Sequence, residues 1–281
     1  MPIITDHLTY VYGAKSKSKK TALDDVSVKI EDGQFIGLIG HTGSGKTTFL
    51  QLLAGLIKPF SGTVYLDGED IFAKDYDMKT LRGKLGIVFQ YPEHQLFEET
   101  VFKDVCFGPK NLGLDEKEVQ LRAYEALKLT GFEDDNFYRS PFELSGGQKR
   151  RAAIAGVLAM KPKILILDEP TAGLDPGGKK EILDLVKSLC KNQGITIILV
   201  SHSMEDMAEY ADRILVMNDA KIVLDGTPTE VFSHYDELKG YGLNVPQVTL
   251  AMLQLRECGI PVRTDAITVE QAKKEILRVL R

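Results

Sequence analysis

The sequence predicts an α/β fold built around a central, mainly parallel β-sheet. Short, continuously apolar runs alternate with stretches that are rich in helix-forming residues. These runs are too short for helices, and they lack the polar alternation of a half-exposed strand, so strands buried on both faces are expected. The runs are residues 35–39, 85–89, 164–167 and 195–200.

Each apolar run ends at residues that can carry chemistry. In chain order, the residues that follow the runs are Gly40, then Gln90, then Asp168 and Glu169, then Ser201 and His202. Ligands of open parallel sheets bind beyond the carboxyl ends of the strands. The sequence therefore predicts one site to which all four strand ends contribute.

Three further regions complete the predicted architecture. Strand-like alternation and turn residues between 7 and 68 indicate a smaller, N-terminal antiparallel β subdomain. Residues from about 91 to 160 predict an inserted helical subdomain. Residues 244–281 predict a short C-terminal helical extension, in which Thr268 and Gln271 form a capping-box pattern.

Composition narrows the class of protein. The 281 residues carry a net charge of -5, which gives no support for nucleic-acid binding. The basic cluster at 15–20 is expected to be a solvated loop, with contact to phosphate or anionic lipid as the alternative. Three scattered cysteines predict free thiols in a reducing compartment. No apolar run approaches the ~20 residues of a membrane span, and no signal pattern opens the chain, so we expect a cytosolic protein.

Residues 40–47, GHTGSGKT, fit the phosphate-binding pattern G-x-x-x-x-G-K-[ST] between a strand and a helical run. Backbone N–H groups and the helix N-terminus would surround phosphate oxygens. Lys46 would contact the β- and γ-phosphates, and the Thr47 hydroxyl would ligate Mg²⁺. A glycine-rich turn without nucleotide is the alternative. The predicted ATP-binding residues here are Gly40, His41, Thr42, Gly43, Ser44, Gly45, Lys46, Thr47 and Thr48.

Two acids and a histidine at the same edge predict the catalytic groups. Asp168 would hold Mg²⁺ through water, and Glu169 would act as the general base or orient the attacking water. Helix capping or pairing with surface lysines is the alternative for the two acids. His202 is expected to contact the γ-phosphate, with a satisfied core histidine as its alternative.

A second glycine motif, LSGGQKRR at 144–151, opens another helical run. Ser145 would cap that helix, and the helix start could bind an anion. One nucleotide does not need two glycine cradles from one chain, so we predict a dimer in which the partner's copy of this motif covers the γ-phosphate. The predicted residues are Ser145, Gly146, Gly147 and Gln148; a simple capped helix is the alternative.

These motifs, together with GLD at 173–175, resemble the ABC ATPases in order and spacing over roughly residues 3–230. The resemblance implies a P-loop NTPase fold and a nucleotide-binding domain over residues 1–243. It also implies that Tyr12 stacks on adenine and that Asp175 lies in a loop that communicates across the dimer. Gln90 would reach Mg²⁺ and the attacking water.

Residues 89–114, which begin FQYPEHQLFEET, resemble the ATPase subunits of energy-coupling factor importers for vitamins and for cobalt or nickel, most closely the second of two distinct ATPases. The resemblance implies three partners: a second ATPase subunit, identical or sibling, a transmembrane coupling protein and a membrane substrate-binding protein. It implies a peripheral position on the cytoplasmic face of the membrane.

Residues 91–97 would then line a groove for a helix of the membrane partner. A metal site built from Glu93, His94, Glu98 and Glu99 is the alternative for this stretch, although its ligand spacing is poor. The rival function is a soluble ABC ATPase acting on nucleic acid or ribosomes. It is disfavoured because the chain has one cassette and no sustained heptads.

Overall fold

The computed structural model describes residues 3–15 and 18–280. Residues 16 and 17 of the basic cluster therefore lie outside the described residues. The strands are β1 Ile3–Tyr12, β2 Lys20–Ile30, β3 Phe35–Gly40, β4 Ser61–Leu66, β5 Glu69–Asp70, β6 Leu85–Val88, β7 Ile164–Asp168, β8 Thr196–Val200, β9 Arg213–Asn218 and β10 Lys221–Gly226. The helices are α1 Lys46–Leu53, α2 Met78–Lys84, α3 Val101–Asn111, α4 Glu116–Leu129, α5 Gly146–Leu158, α6 Pro176–Gln193, α7 Met204–Tyr210, α8 Pro228–Ser233, α9 Tyr235–Gly240, α10 Gln247–Glu257 and α11 Val269–Val279.

The predicted central sheet is confirmed. Its strand order is β10-β9-β3-β8-β7-β6, and every neighbouring pair is parallel except β9 with β10. The four apolar runs correspond to β3, β6, β7 and β8. A second, antiparallel sheet has the order β2-β1-β4-β5, as the N-terminal alternation predicts.

Both faces of the central sheet are covered, which explains why its strands are continuously apolar. In β7, Leu165 and Leu167 pack in the cluster that includes residues of α3 to α6. The alternate residues, Ile164 and Ile166, pack with the antiparallel sheet and α1 on the other face. Burying each such side chain contributes about 1.5–3 kcal/mol, so the central strands form a rigid platform for the residues at their carboxyl ends.

The helices expected in the insert are α3, α4 and α5, which pack on one another. Thr100 caps α3 by accepting a hydrogen bond from Lys103 N–H at 3.2 Å. The limits of the helical subdomain, about 91–160, and the domain boundary near residue 243 stay predictions.

The C-terminal extension consists of α10 and α11 around a small apolar cluster of its own. Thr268 and Gln271 form the predicted capping box at the start of α11. The carboxylate of Glu275 lies between the guanidinium groups of Arg278 and Arg263, at 2.6 and 3.2 Å. Its hydrogen bonds, first of all those from Arg278, lower the pKa of Glu275 to about 2.

Candidate active site

A pocket of about 360 Å³ lies where the strands of the central sheet end. It brings together residues that are far apart in the sequence and that were predicted to share one site. The pocket is lined by Tyr12, Lys20, Ala22, Thr42, Gly43, Gly45, Lys46, Thr47, Thr48, Gln90, Asp168, Glu169 and His202. Eleven of the lining residues were predicted from the sequence, and Lys20 and Ala22 were not.

A larger cavity, of about 700 Å³, lies at the amino ends of the strands. Its charged lining residues are already paired in part: Lys161 binds Glu125 at 3.0 Å, and Arg122 binds Glu118 at 2.5 Å. None of the predicted site residues lines it. Size alone would therefore select the wrong cavity, whereas the convergence of strand ends selects the smaller pocket.

The phosphate-binding loop already has the shape that an anion requires. Lys46 is buried, and its Nζ donates to the carbonyl oxygens of Gly40 at 2.7 Å and His41 at 3.1 Å. Burial lowers the pKa of Lys46, and the nearby carboxylates of Glu169 and Asp168 oppose that shift. The ammonium group is thus held in the loop without a strong anionic partner, which suits it to bind phosphate.

Gly45 shows why the loop needs glycine. Its φ of +111° is a conformation that other residues rarely adopt, and a Cβ there would collide with the carbonyl oxygen of Ala22. The loop can consequently approach β2 closely and turn directly into α1. His41 and Ser44 belong to the loop but do not line the pocket. Ser44 Oγ is buried without a hydrogen-bond partner among the described residues.

Asp168 is the last residue of β7, and Glu169 follows it directly. Asp168 is buried, and its pKa is raised, first by burial and then by the charge of Glu169. Two neighbouring carboxylates in a partly buried pocket favour a cation between them and the phosphates. Thr47 and Gln90, which line the same pocket, supply further oxygen atoms, the ligand type that Mg²⁺ prefers.

Glu169 is held by two of the other predicted catalytic residues. His202 Nε2 lies 2.8 Å from Glu169 Oε1, and Gln90 Nε2 donates to Glu169 Oε2 at 3.2 Å. Glu169 itself has a positive φ of 49° at the end of its strand. The three side chains therefore share one edge of the pocket, where a water molecule would have to be oriented.

Tyr12 stands at the other end of the pocket. Its ring is 44% exposed, and its hydroxyl lies 3.1 Å from Thr48 Oγ1. Lys20 is the register partner of Tyr12 across β1 and β2, which explains how it reaches the pocket. Sequence reasoning assigned Lys20 to a solvated loop because that register was not known; pairing β1 with β2 would have found it.

The second glycine motif lies outside this pocket. Ser145 caps α5: its Oγ accepts from Gln148 N–H at 3.3 Å, and Gln148 Oε1 accepts from Ser145 N–H at 2.9 Å. A Cβ at Gly146 or Gly147 would meet no atom within 4 Å. Asp175 is likewise outside the pocket and caps α6 through the N–H groups of Gly177 and Gly178. The chain alone gives no steric reason for the two glycines.

The segment after Gln90 forms a short 3₁₀ turn, Pro92–Gln95. Two of its proposed metal ligands are bound to cations instead, since Glu93 pairs with Arg150 at 2.9 Å and Glu99 pairs with Lys103 at 2.5 Å. Within residues 3–15 and 18–280, no group of three or more His, Cys, Asp or Glu side chains is placed to hold a metal ion.

An apolar groove of about 600 Å³ lies beside this turn, between the central sheet and the helices α3 and α5. The prediction that residues 91–97 line such a groove is too broad. Only Gln95, Leu96 and Phe97 of that segment line it, because Pro92 is buried and Glu93 turns toward Arg150. None of the helices in the described part of the chain combines the length and apolar character of a bilayer span.

Comparison with known proteins places this site in a family context. The family model described as "ABC transporter" matches residues 23–172. The energy-coupling factor transporter ATP-binding protein EcfA2 of Caldanaerobacter subterraneus is 54% identical over 100% of this chain and 98% of its own length. The protein of that name from Clostridium acetobutylicum is 55% identical, with the same coverage.

Solved structures agree with the sequence relatives. The structure of cbiO1 from Clostridium perfringens, described as part of the ABC transporter complex cbiONQ, matches with a TM-score of 0.74 and 39% identity over 90% of this chain and 96% of that one. A dimeric ATP-binding cassette in a post-hydrolysis state, bound to ADP and Pi, matches with a TM-score of 0.71 and 30% identity over 80% of this chain and 98% of that one.

Proposed function

The chain belongs to the ABC transporter family, as an ATP-binding protein of the energy-coupling factor type, and we propose that it hydrolyses ATP to drive uptake of vitamins or transition-metal ions. The observation that carries the proposal is the convergence of a P-loop with Gln90, Glu169 and His202 at one pocket. The close relatives are transporter subunits, so a soluble ATPase acting on nucleic acid or ribosomes is not favoured.

The residues in the pocket suit phosphoryl transfer to water. Glu169 would orient a water molecule and accept its proton while the water oxygen bonds to the γ-phosphorus. The bond from that phosphorus to the bridging oxygen breaks, which gives ADP and phosphate. Lys46 and His202 would stabilise the charge that develops on the phosphate oxygens.

Mg²⁺, when bound, would neutralise charge on the β- and γ-phosphates. Thr47 would hold it through its hydroxyl, Asp168 through water and Gln90 through its amide oxygen. Gln90 donates to Glu169 through its amide nitrogen, so the same amide group could meet Mg²⁺ through its oxygen and link the metal to Glu169. That link makes Gln90 suited to sense whether nucleotide is bound.

The open helix start at Ser145 supports a site shared between two chains. Glycine near a helix start costs stability relative to alanine, and Gly146 and Gly147 have no neighbour that demands it. A partner's γ-phosphate would fill this space and accept from the backbone N–H groups of α5. In the same dimer, Tyr12 would stack on the adenine, and Asp175 would face the partner chain. The partner is either an identical chain or a sibling ATPase.

The apolar groove beside Leu96 and Phe97 suits a helix from a membrane protein. Phe97 and Phe107 are 58% and 45% exposed and pack edge to face at 5.0 Å, so the groove presents a large apolar surface. A transmembrane coupling protein docked here would hold the chain on the cytoplasmic face of the membrane. A membrane substrate-binding protein would complete the importer.

The proposal is tested by purifying the tagged chain with its partners from native membranes of its source cells. We expect co-purification of a second ATPase and membrane proteins, together with Mg²⁺-dependent ATP hydrolysis. Recovery with nucleic acid or ribosomes instead, or absence of hydrolysis in the intact complex, would contradict the proposal. A Lys46→Ala chain is the control, since it should keep the membrane partners and lose the hydrolysis.

A further inference from the structure

Arg150 is a buried cation that does not line the pocket and has no part in the proposed chemistry. It lies in the second turn of α5, and only 2% of its side chain is exposed. Its Nη2 lies 2.9 and 3.0 Å from the two carboxylate oxygens of Glu93, and its Nε lies 3.3 Å from one of them. Its Nη1 donates to the carbonyl oxygen of Ala172 at 2.8 Å.

These bonds join three segments of the chain through one side chain. Arg150 belongs to the helix that begins with the second glycine motif. Glu93 lies three residues after Gln90, in the turn that leads into the apolar groove. Ala172 lies between Glu169 and Asp175, and its own N–H donates to the Glu169 carbonyl oxygen at 3.2 Å.

The geometry points to Arg150 as a positioning residue that makes α5, the Gln90 segment and the Glu169–Asp175 loop move as one unit. The inference deepens the proposed function and rests on it. A shift of α5 toward a partner's nucleotide would then be carried to Gln90, to Glu169 and to the groove without a new contact. Motion of the groove would reach the nucleotide pocket by the same bonds, in reverse.

Arginine suits this role better than any other cation. Its planar guanidinium donates in several fixed directions, so it can bind a carboxylate with two nitrogens while a third bonds to a carbonyl. Lysine would keep the charge but would lose the fixed geometry. A buried pair that only stabilised the fold could be replaced by apolar side chains, which often fold as well or better.

That difference gives the test. In the purified transporter complex, Arg150→Lys should lower kcat for ATP by about 10- to 100-fold, the range expected when catalytic groups are displaced slightly. The KM for ATP should stay within a factor of about 2, because the P-loop and Tyr12 are untouched.

A double variant separates positioning from stability. Arg150→Met alone leaves the Glu93 carboxylate unpaired and should lower the thermal midpoint of unfolding. Adding Glu93→Met removes that charge as well, so the midpoint should return toward the wild-type value while kcat stays low. Recovery of both would overturn the inference, because Arg150 would then only neutralise Glu93. Unchanged kcat in Arg150→Lys would overturn it as well.

Arg122→Met is the matched control, since it breaks an arginine–glutamate pair with Glu118 on the surface of α4. It should leave kcat for ATP unchanged. Absence of turnover in the wild-type complex would overturn the proposed function itself, and the inference with it. If the wild-type complex hydrolyses ATP and Arg150→Lys has the same kcat, the inference about Arg150 is wrong and the proposed function stands.

Discussion

The P-loop pocket and the helix start at Ser145 both offer backbone N–H groups to an anion, yet they differ in burial and in the titratable groups that they contain. The pocket is built from buried strand ends and contains Lys46 and Asp168, whose pKa values are displaced by burial. The helix start is exposed at Ser145 and Gly146, satisfies its own cap and carries no acid in its first turn. Burial disfavours the charged forms of Lys46 and Asp168 in the empty pocket, whereas the cap of the helix start already has its hydrogen bonds.

This difference assigns the two regions unequal parts in the proposed reaction. In the proposed function, the pocket would bind ATP, orient the attacking water and accept its proton, and a bound nucleotide with its cation would balance the charges of the pocket. The helix start would contribute space and N–H groups, so it could cover a partner's nucleotide without strain in the free chain. Disturbing the pocket should change chemistry or binding in the chain itself, whereas disturbing the helix start should lower turnover only in the assembled dimer.

The largest effect is expected from Glu169→Gln. The amide keeps the size of the side chain and removes the proton acceptor, so hydrolysis should fall by about 10²- to 10⁴-fold. Binding of ATP should be retained, because Lys46 and the loop are unchanged. Single-turnover hydrolysis and equilibrium binding of a fluorescent ATP analogue measure the two quantities. Wild-type turnover in this variant would exclude Glu169 as the base.

Gly147→Ala tests the helix start at Ser145 and should change stability and turnover in opposite directions. A Cβ meets no atom of the same chain there, and alanine favours the helix by up to about 1 kcal/mol, so the free chain should become slightly more stable. In the dimer the methyl group would enter the space of the partner's γ-phosphate, and turnover should fall by about 10-fold or more.

Gly240→Ala is the matched control, because it also adds a methyl group to a helical glycine with open space around it. It should leave turnover unchanged. Equal turnover in Gly147→Ala and Gly240→Ala would show that the helix start does not meet a nucleotide.

Much of the pocket could be predicted from the sequence because strand ends and loop motifs are local patterns. The runs before Gly40, Gln90, Asp168 and Ser201 were visible as apolar segments, and parallel pairing brings their ends together. Lys20 and Arg150 could not be found in this way. Lys20 reaches the pocket through the register of β1 with β2, and Arg150 finds Glu93 at a distance of 57 residues. Such contacts depend on how separate elements pack, which no local pattern encodes.

A smaller effect is expected at the adenine end of the pocket. Tyr12→Ala should raise the KM for ATP by about 2- to 10-fold, which corresponds to an aromatic contact of about 0.5–1.5 kcal/mol. The kcat should stay unchanged, because the hydroxyl of Tyr12 contacts Thr48 and Tyr12 has no part in the proposed proton transfer. Tyr12→Phe loses only the contact with Thr48 and should remain close to the wild type. An equal KM in all three proteins would remove Tyr12 from the site.

The smallest effect is on stability, and it follows from the displaced pKa of Asp168. Because that pKa is raised above its ordinary value of 3.8, the folded state holds the proton more tightly than the unfolded state. The stability that this proton contributes is present below pH 3.8 and is lost as pH rises through the folded pKa. Each unit by which the pKa is raised corresponds to about 1.4 kcal/mol.

Asp168→Asn removes this titration, so without nucleotide its free energy of unfolding should exceed that of the wild type, and the gap should widen from about pH 4 to neutral pH. Urea unfolding across this range measures the gap. With Mg²⁺ and ATP present the order should reverse, because the wild-type carboxylate then has a cation to balance it and asparagine does not. A gap that is independent of pH would mean that Asp168 carries no strain in the empty pocket, and the contrast with the helix start at Ser145 would then rest on geometry alone.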